Sequence, residues 1–164
     1  VPYYKDANNH LHFLENEVYA HLLPVDCVEI SDAEAASIQA PTPDQVKSEK
    51  WESIKSERDR RKAGGVMVEV GADNKWFHSD DASRIQQIGL VMMGAGIPAG
   101  LQWKTMDGSF IAMNQTVAGA VFSAVAASDQ AIFAVAETHR AAMESSTDPA
   151  SYDYSTGWPK IYGG

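Results

Sequence analysis

Cysteine is almost missing from this chain: of 164 residues, Cys27 alone carries a thiol. An intrachain disulfide and a cysteine-rich zinc site are therefore excluded, which predicts folding in a reducing cytoplasm. Positive charge is also scarce. Thirteen Lys and Arg stand against 22 Asp and Glu, a net charge of −9, so no basic face is left for a phosphate backbone and no nucleic-acid partner is expected. The basic cluster Arg58, Arg60, Arg61 and Lys62 falls in the last turn of a predicted helix, where cations favour the helix dipole. Long clean apolar runs are absent too. The stretch Gly119–Ala136 is interrupted by Ser123, Ser128, Asp129 and Gln130, so it does not read as a membrane span. The opening Val1-Pro2-Tyr3-Tyr4-Lys5-Asp6 lacks the charged-then-apolar pattern of a signal peptide, and a soluble, unsecreted protein is expected.

What is present suits an ordinary globular chain. A hydrophobic fraction of 45% is enough for a core, in one compact domain or a domain with a smaller appendage. Residues 1–40 read as a small β-rich region. Pro2–Lys5 and His10–Leu14 flank the turn-forming Asp6-Ala7-Asn8-Asn9, and Asp26–Ile30 is a third strand candidate. Ser31-Asp32-Ala33-Glu34 is a capping box for a short helix.

Pro41 and Pro43 mark a boundary, and the segment 43–146 follows as an α+β domain of three helices and two hairpins. Thr42 and Gln45 cap the first helix, which runs to Lys62 and stops at Gly64-Gly65. Val66–Val70 and Lys75–His78 make the first hairpin, and Ser79 is the expected N-cap of a helix carrying Ile85, Ile88 and Met92 on one face. Asp107-Gly108 is a two-residue hairpin signal, and Asn114 caps a long helix with apolar residues from Val117 to Met143 at helical spacing. Trp51, Val68, Trp76, Ile88, Trp103, Phe110, Val121 and Val125 are the expected core. Residues 147–164 show no periodicity and read as an extended arm.

Chemistry-bearing residues are scattered rather than clustered. Asp80-Asp81 stands where acids stabilise a helix start. His10 and His12 share a strand face at a spacing two metal ligands can use, but no third ligand is near in sequence. His78 and His139 read as structural. Cys27 lacks a motif that would supply an activating base. Gly94-Ala95-Gly96 and Gly64-Gly65 lack the Lys-Ser/Thr of a phosphate loop and read as helix stops. No catalytic, cofactor or metal residues are assigned, and no enzyme is expected. Tyr152, Tyr154, Trp158 and Tyr162 sit on the arm with no regular element to hold them. Exposed Tyr and Trp of that kind are typical protein-interaction contacts.

Three segments carry a family resemblance: Lys55–Arg61, the helix entry Trp76-Phe77-His78-Ser79-Asp80-Asp81-Ala82-Ser83-Arg84-Ile85, and the hairpin Gln102–Phe110. Over Trp51–Ser145 the chain resembles a bacteriophage domain of unassigned function, often the C-terminal part of tail-fibre assembly and other tail-associated proteins. Tyr3-Tyr4, Leu11-His12-Phe13 and Pro24–Glu34 are similar to the opening of tail-fibre assembly proteins. The resemblance implies a non-enzymatic protein that binds a tail-fibre or baseplate polypeptide, found in the virion tail or in the host cytoplasm during assembly. A homo-oligomer is possible in that setting. Other readings are a permanent virion subunit and a receptor- or carbohydrate-binding tip module. Binding would use strand edges and the aromatic arm, burying roughly 1,200–2,000 Å².

Overall fold

The computed structural model describes residues 2–164 and has an α+β fold made of two compact units, residues 1–45 and 46–164. In the first unit, β1 (Tyr3–Lys5), β2 (Leu11–Phe13) and β3 (Val28–Ile30) form an antiparallel sheet in the order β2-β1-β3. Tyr3 pairs with Phe13 on one side and Ile30 on the other. Asp6 closes the β1–β2 turn by accepting the backbone N–H of Asn8 and His10 at 2.8 and 2.9 Å. The helix α1 (Asp32–Gln39) starts at the expected Ser31 cap, and the Lys5 ammonium ties β1 to α1 through Glu34.

The second unit begins within α2 (Pro43–Lys62), whose Thr42 and Gln45 form the reciprocal capping box at 2.7 and 3.2 Å. A hairpin of β4 (Val66–Val70) and β5 (Asp73–Phe77) pairs Val66 with Phe77. After α3 (Asp81–Met93), a second hairpin, β6 (Gln102–Lys104) and β7 (Phe110–Ala112), leads to the 30-residue α4 (Gln115–Glu144), capped by Asn114. That second turn is wider than the two residues expected. Thr105 N–H bonds to Ser109 O at 2.8 Å and Gly108 takes φ +83°, the three-residue loop with a left-handed glycine.

At 1.5 Å per residue, α4 is about 45 Å long. It threads two separate cores rather than the single one expected. Val117, Ala118, Val121 and Val125 join Val66, Val68, Phe77, Leu90 and Met113 in the first. Ala136 and Met143 join Ile54, the one fully buried side chain among the α2 residues, in the second. By length and composition α4 is apolar enough to cross a bilayer, but Asp129 in its middle pairs with Arg84, and its inward face builds both cores.

The expected core needs correction in places. Val68, Val121 and Val125 are buried, while Trp51, Trp76 and Trp103 are half-buried at the edges. Ile88 and Phe110 are exposed, at 47% and 61%. On α3 the residues facing inward are Gln87 and Leu90, and Gln87 donates to the His78 carbonyl at 2.7 Å. The stripe Ile85, Ile88 and Met92 lies on the opposite side of the helix.

Residues 147–164 also differ from the expected extended arm. They fold back along α2 and α4 as a strap. Tyr152, Tyr154 and Trp158 cover the second core, and Tyr162 N–H closes on Gly64 O at 2.9 Å.

Candidate functional site

Each segment that carries the family resemblance builds a polar junction. The first lies where β5 turns into α3. Asp80, not the expected Ser79, is the α3 N-cap, accepting the Ser83 N–H at 3.0 Å and its hydroxyl at 2.7 Å. Those bonds, the hydroxyl's first, hold the Asp80 carboxyl below its ordinary value. Ser79 is buried instead, with Oγ accepting the Gly65 N–H at 2.9 Å and donating to the Lys62 carbonyl at 2.5 Å. Arg84 donates through Nη2 to the same carbonyl at 3.0 Å and forks onto Asp129 of α4 at 2.6 and 2.9 Å. The last carbonyls of a helix have no partner within it. Ser79 and Arg84 therefore cap α2 from outside, and one guanidinium joins α2, α3 and α4. Gly65 at this corner has φ +91°, and a Cβ there would collide with the Met106 sulfur, so only glycine fits.

Replacing Arg84 by Ala leaves the Asp129 carboxylate without its donor and the Lys62 carbonyl with Ser79 alone. Because both side chains of the pair keep some solvent contact, the expected loss is about 1–3 kcal/mol, read from urea unfolding. Arg84→Lys should recover little of it, since a compact ammonium cannot fork. A loss below about 0.5 kcal/mol would mean the junction does not hold these helices together.

The second junction is the β6–β7 turn. The Asp107 carboxylate collects the Ser109 hydroxyl at 2.5 Å, the Thr105 hydroxyl at 2.7 Å, the Ser109 N–H at 2.8 Å and the Lys75 ammonium at 3.1 Å. These donors, led by the Ser109 hydroxyl, push its pKa far down and leave a saturated anion rather than a base. Lys75 comes from β5, and Met106 N–H bonds to Trp76 O at 2.8 Å, so the turn stitches the two hairpins together.

The third junction anchors the strap. His139, buried on α4, lies 2.9 Å from the Tyr152 hydroxyl through Nδ1 and 2.8 Å from Thr156 O through Nε2. A carbonyl only accepts, so Nε2 carries the proton. Trp158 stacks near the imidazole, with centroids 5.3 Å apart, and its indole N–H donates to Tyr154 O. On the other side Arg61 donates to Pro159 O at 3.1 Å and lies over the Trp158 ring. Glu57 holds Arg61 in place. The Arg60 bond first, then that of Arg61, brings the Glu57 carboxyl down to about 2. A cleft of about 530 Å³ runs between Arg60, Arg61 and the strap residues Trp158, Lys160 and Tyr162.

In the first unit His10 Nδ1 and His12 Nε2 both turn to Asp6 Oδ2, at 3.0 and 3.6 Å. The backbone N–H of His10 is the main cause that lowers Asp6 to about 2. Among the described residues no group of three His, Cys, Asp or Glu is placed to hold a metal ion. Desolvation, then the charges of Asp6 and Asp26, raise the Cys27 thiol, which disfavours the thiolate a nucleophile needs.

The four aromatics expected to meet a partner are thus brought together on this chain's own surface, three of them over the second core. Tyr162 stays 40% exposed beside Trp76, 6.1 Å between centroids. The residue that organises them, His139, was legible only as one polar position within an apolar helical stripe.

Residues 45–156 match a family described as a domain of unknown function (DUF4376). The chain belongs to that family. The matched span of the DUF4376 domain takes in the first two junctions and part of the third, whose Trp158 and Pro159 lie past it, as does Tyr162. No curated protein and no solved structure matches the chain significantly.

Proposed function

We propose that this protein is a non-enzymatic bacteriophage tail protein that binds tail-fibre or baseplate polypeptides and supports their assembly or attachment. The observation that carries the reading is the inverted first unit. Among its described residues the buried hydrophobics are Leu14 and Ala35, while Phe13, Val18, Tyr19, Leu22, Val25 and Val28 are exposed, Val25 to 89%. A unit of this size with so small a core gains little from its own packing. Its apolar side chains are free for another polypeptide, and the outer strands β2 and β3 offer edges for strand addition. The resemblance of Tyr3-Tyr4, Leu11–Phe13 and Pro24–Glu34 to the opening of tail-fibre assembly proteins lies in this same unit. Such a protein acts in the virion tail, or in the host cytoplasm while tails assemble.

The test is co-purification of the full chain with tail-fibre and baseplate proteins, beside mass spectrometry of purified particles. The native chain is expected to retain a fibre or baseplate polypeptide, and Val25→Asp with Val28→Asp to lose it by tenfold or more. Stoichiometric presence on particles would make it a permanent subunit; capture of a fibre protein without incorporation would make it a chaperone. Absence of both capture and incorporation would overturn the reading.

A further inference from the structure

The outward face of α3 exposes a row of large apolar side chains. Ile85, Ile88 and Met92 recur at helical spacing, exposed to 71%, 47% and 82%, directly opposite Gln87 and Leu90. Val91 flanks them. The run of α3 against α4 extends the patch. Arg84 meets Asp129, and Gly94, ten residues on, lies beside Gln115, so the two helices are antiparallel. Phe122, two turns before Asp129 on the same flank of α4, is then level with the middle of α3 and continues the ridge, itself 45% exposed.

We propose that this ridge is a self-association surface, where α3 of one copy packs against α3 of a second copy of this chain across a two-fold axis.

Charge selects the occupant. No Asp, Glu, Lys or Arg occurs from Ile85 to Trp103 or from Ser109 to Ser128, although the chain carries a net charge of −9. Two such chains repel wherever their acidic surfaces meet. The one acid on this face, Asp81, lies one turn before Ile85, and in an antiparallel pairing centred on Ile88 it falls beside the uncharged end of the other copy's α3 rather than beside a second acid. The nearest cation, Arg84, is already committed to Asp129. A two-fold contact also needs a patch that complements itself, and a single row of Ile and Met side chains can interdigitate with its own copy. The area suffices. The five side chains expose roughly 500 Å², near the top of the 300–600 Å² range for a monomer's largest patch. With the small residues beside them, Ala82, Gly89, Ser123 and Ala126, two copies together bury on the order of 1,000 Å², the size of a weak, concentration-dependent pair. The surface lies in the second unit and does not depend on the fibre-binding reading of the first.

Sedimentation equilibrium of the full chain over a wide concentration range tests the proposal. The 17.8 kDa chain is expected to reach twice that mass as concentration rises. Met92→Asp and, separately, Ile85→Lys should weaken association at least tenfold while the dilute protein keeps its melting temperature, because neither side chain is in a core. A native chain that stays monomeric at the highest concentration overturns the proposal, as do variants that associate as tightly as the native protein. Co-sedimentation of a monomeric chain with neutral phosphatidylcholine vesicles would assign the face to a lipid surface instead, and overturn it too.

Discussion

Deleting residues 147–164 is expected to lower the melting temperature by more than about 10 °C and to remove several kcal/mol of stability. The loss does not come mainly from the strap's own aromatics. Ordering eighteen residues costs about 1–2 kcal/mol of backbone entropy each, which offsets much of what their contacts return. It comes from what the strap covers. Ile54 and Met143 have no solvent exposure, and Tyr152, Tyr154 and Trp158 form the outer wall of their cluster. Uncovering two such side chains forfeits about 1.5–3 kcal/mol each. His139 would also lose both ring-nitrogen partners and Arg61 its bond to Pro159. Because Ile54 is the buried anchor of α2, that helix should loosen from α4 first, and hydrogen exchange in α2 should rise before exchange in the β4–β5 hairpin. His139→Ala in the full chain should reproduce part of the loss. A truncated protein that melts within about 2 °C of the native chain would mean the strap only rests on the core.

The parts of the fold that were legible in the sequence are those settled by neighbours in the chain. Ser31, Thr42 with Gln45, and Asn114 each cap the helix that follows them, because a side-chain acceptor three residues from an N–H needs no tertiary help. The stop at Gly64-Gly65 and the β-propensity of Val66–Val70 are local in the same sense. Long-range partners were not legible. Ser79 has the composition of an N-cap, yet Lys62 and Gly65 claim its hydroxyl and Asp80 takes the cap. The strap aromatics have no periodicity because they lie in no long helix or strand of their own, and Tyr152 and Trp158 are set against a buried histidine of α4. The apolar stripe of α3 was visible as a stripe, but periodicity reports only that one side is apolar. It does not say whether that side meets this chain or another.

That ambiguity gives the second large effect, a contrast between Phe77, buried although outside the expected core, and Ile88, exposed although within it. Phe77→Ala is expected to cost about 3–5 kcal/mol, and Ile88→Ala less than about 1 kcal/mol, in urea unfolding of dilute protein. Phe77 ends β5 with no exposed surface, among Val66, Leu90, Met113 and Val121. Truncating it leaves a void that Val66, its cross-strand partner, is too small to fill. Nor can β5 move inward, because the Trp76 carbonyl is bonded to Met106 and Ser79 is tied to Lys62 and Gly65. Ile88 is nearly half exposed on the far side of α3, so its truncation removes little buried area and opens no cavity. Alanine also favours the helix slightly over a β-branched side chain. Raising the protein concentration should enlarge the cost of Ile88→Ala if the α3 ridge pairs with itself, while leaving the cost of Phe77→Ala nearly constant. Equal costs for the two substitutions in dilute protein would mean that α3 turns Ile88, rather than Gln87 and Leu90, toward the core.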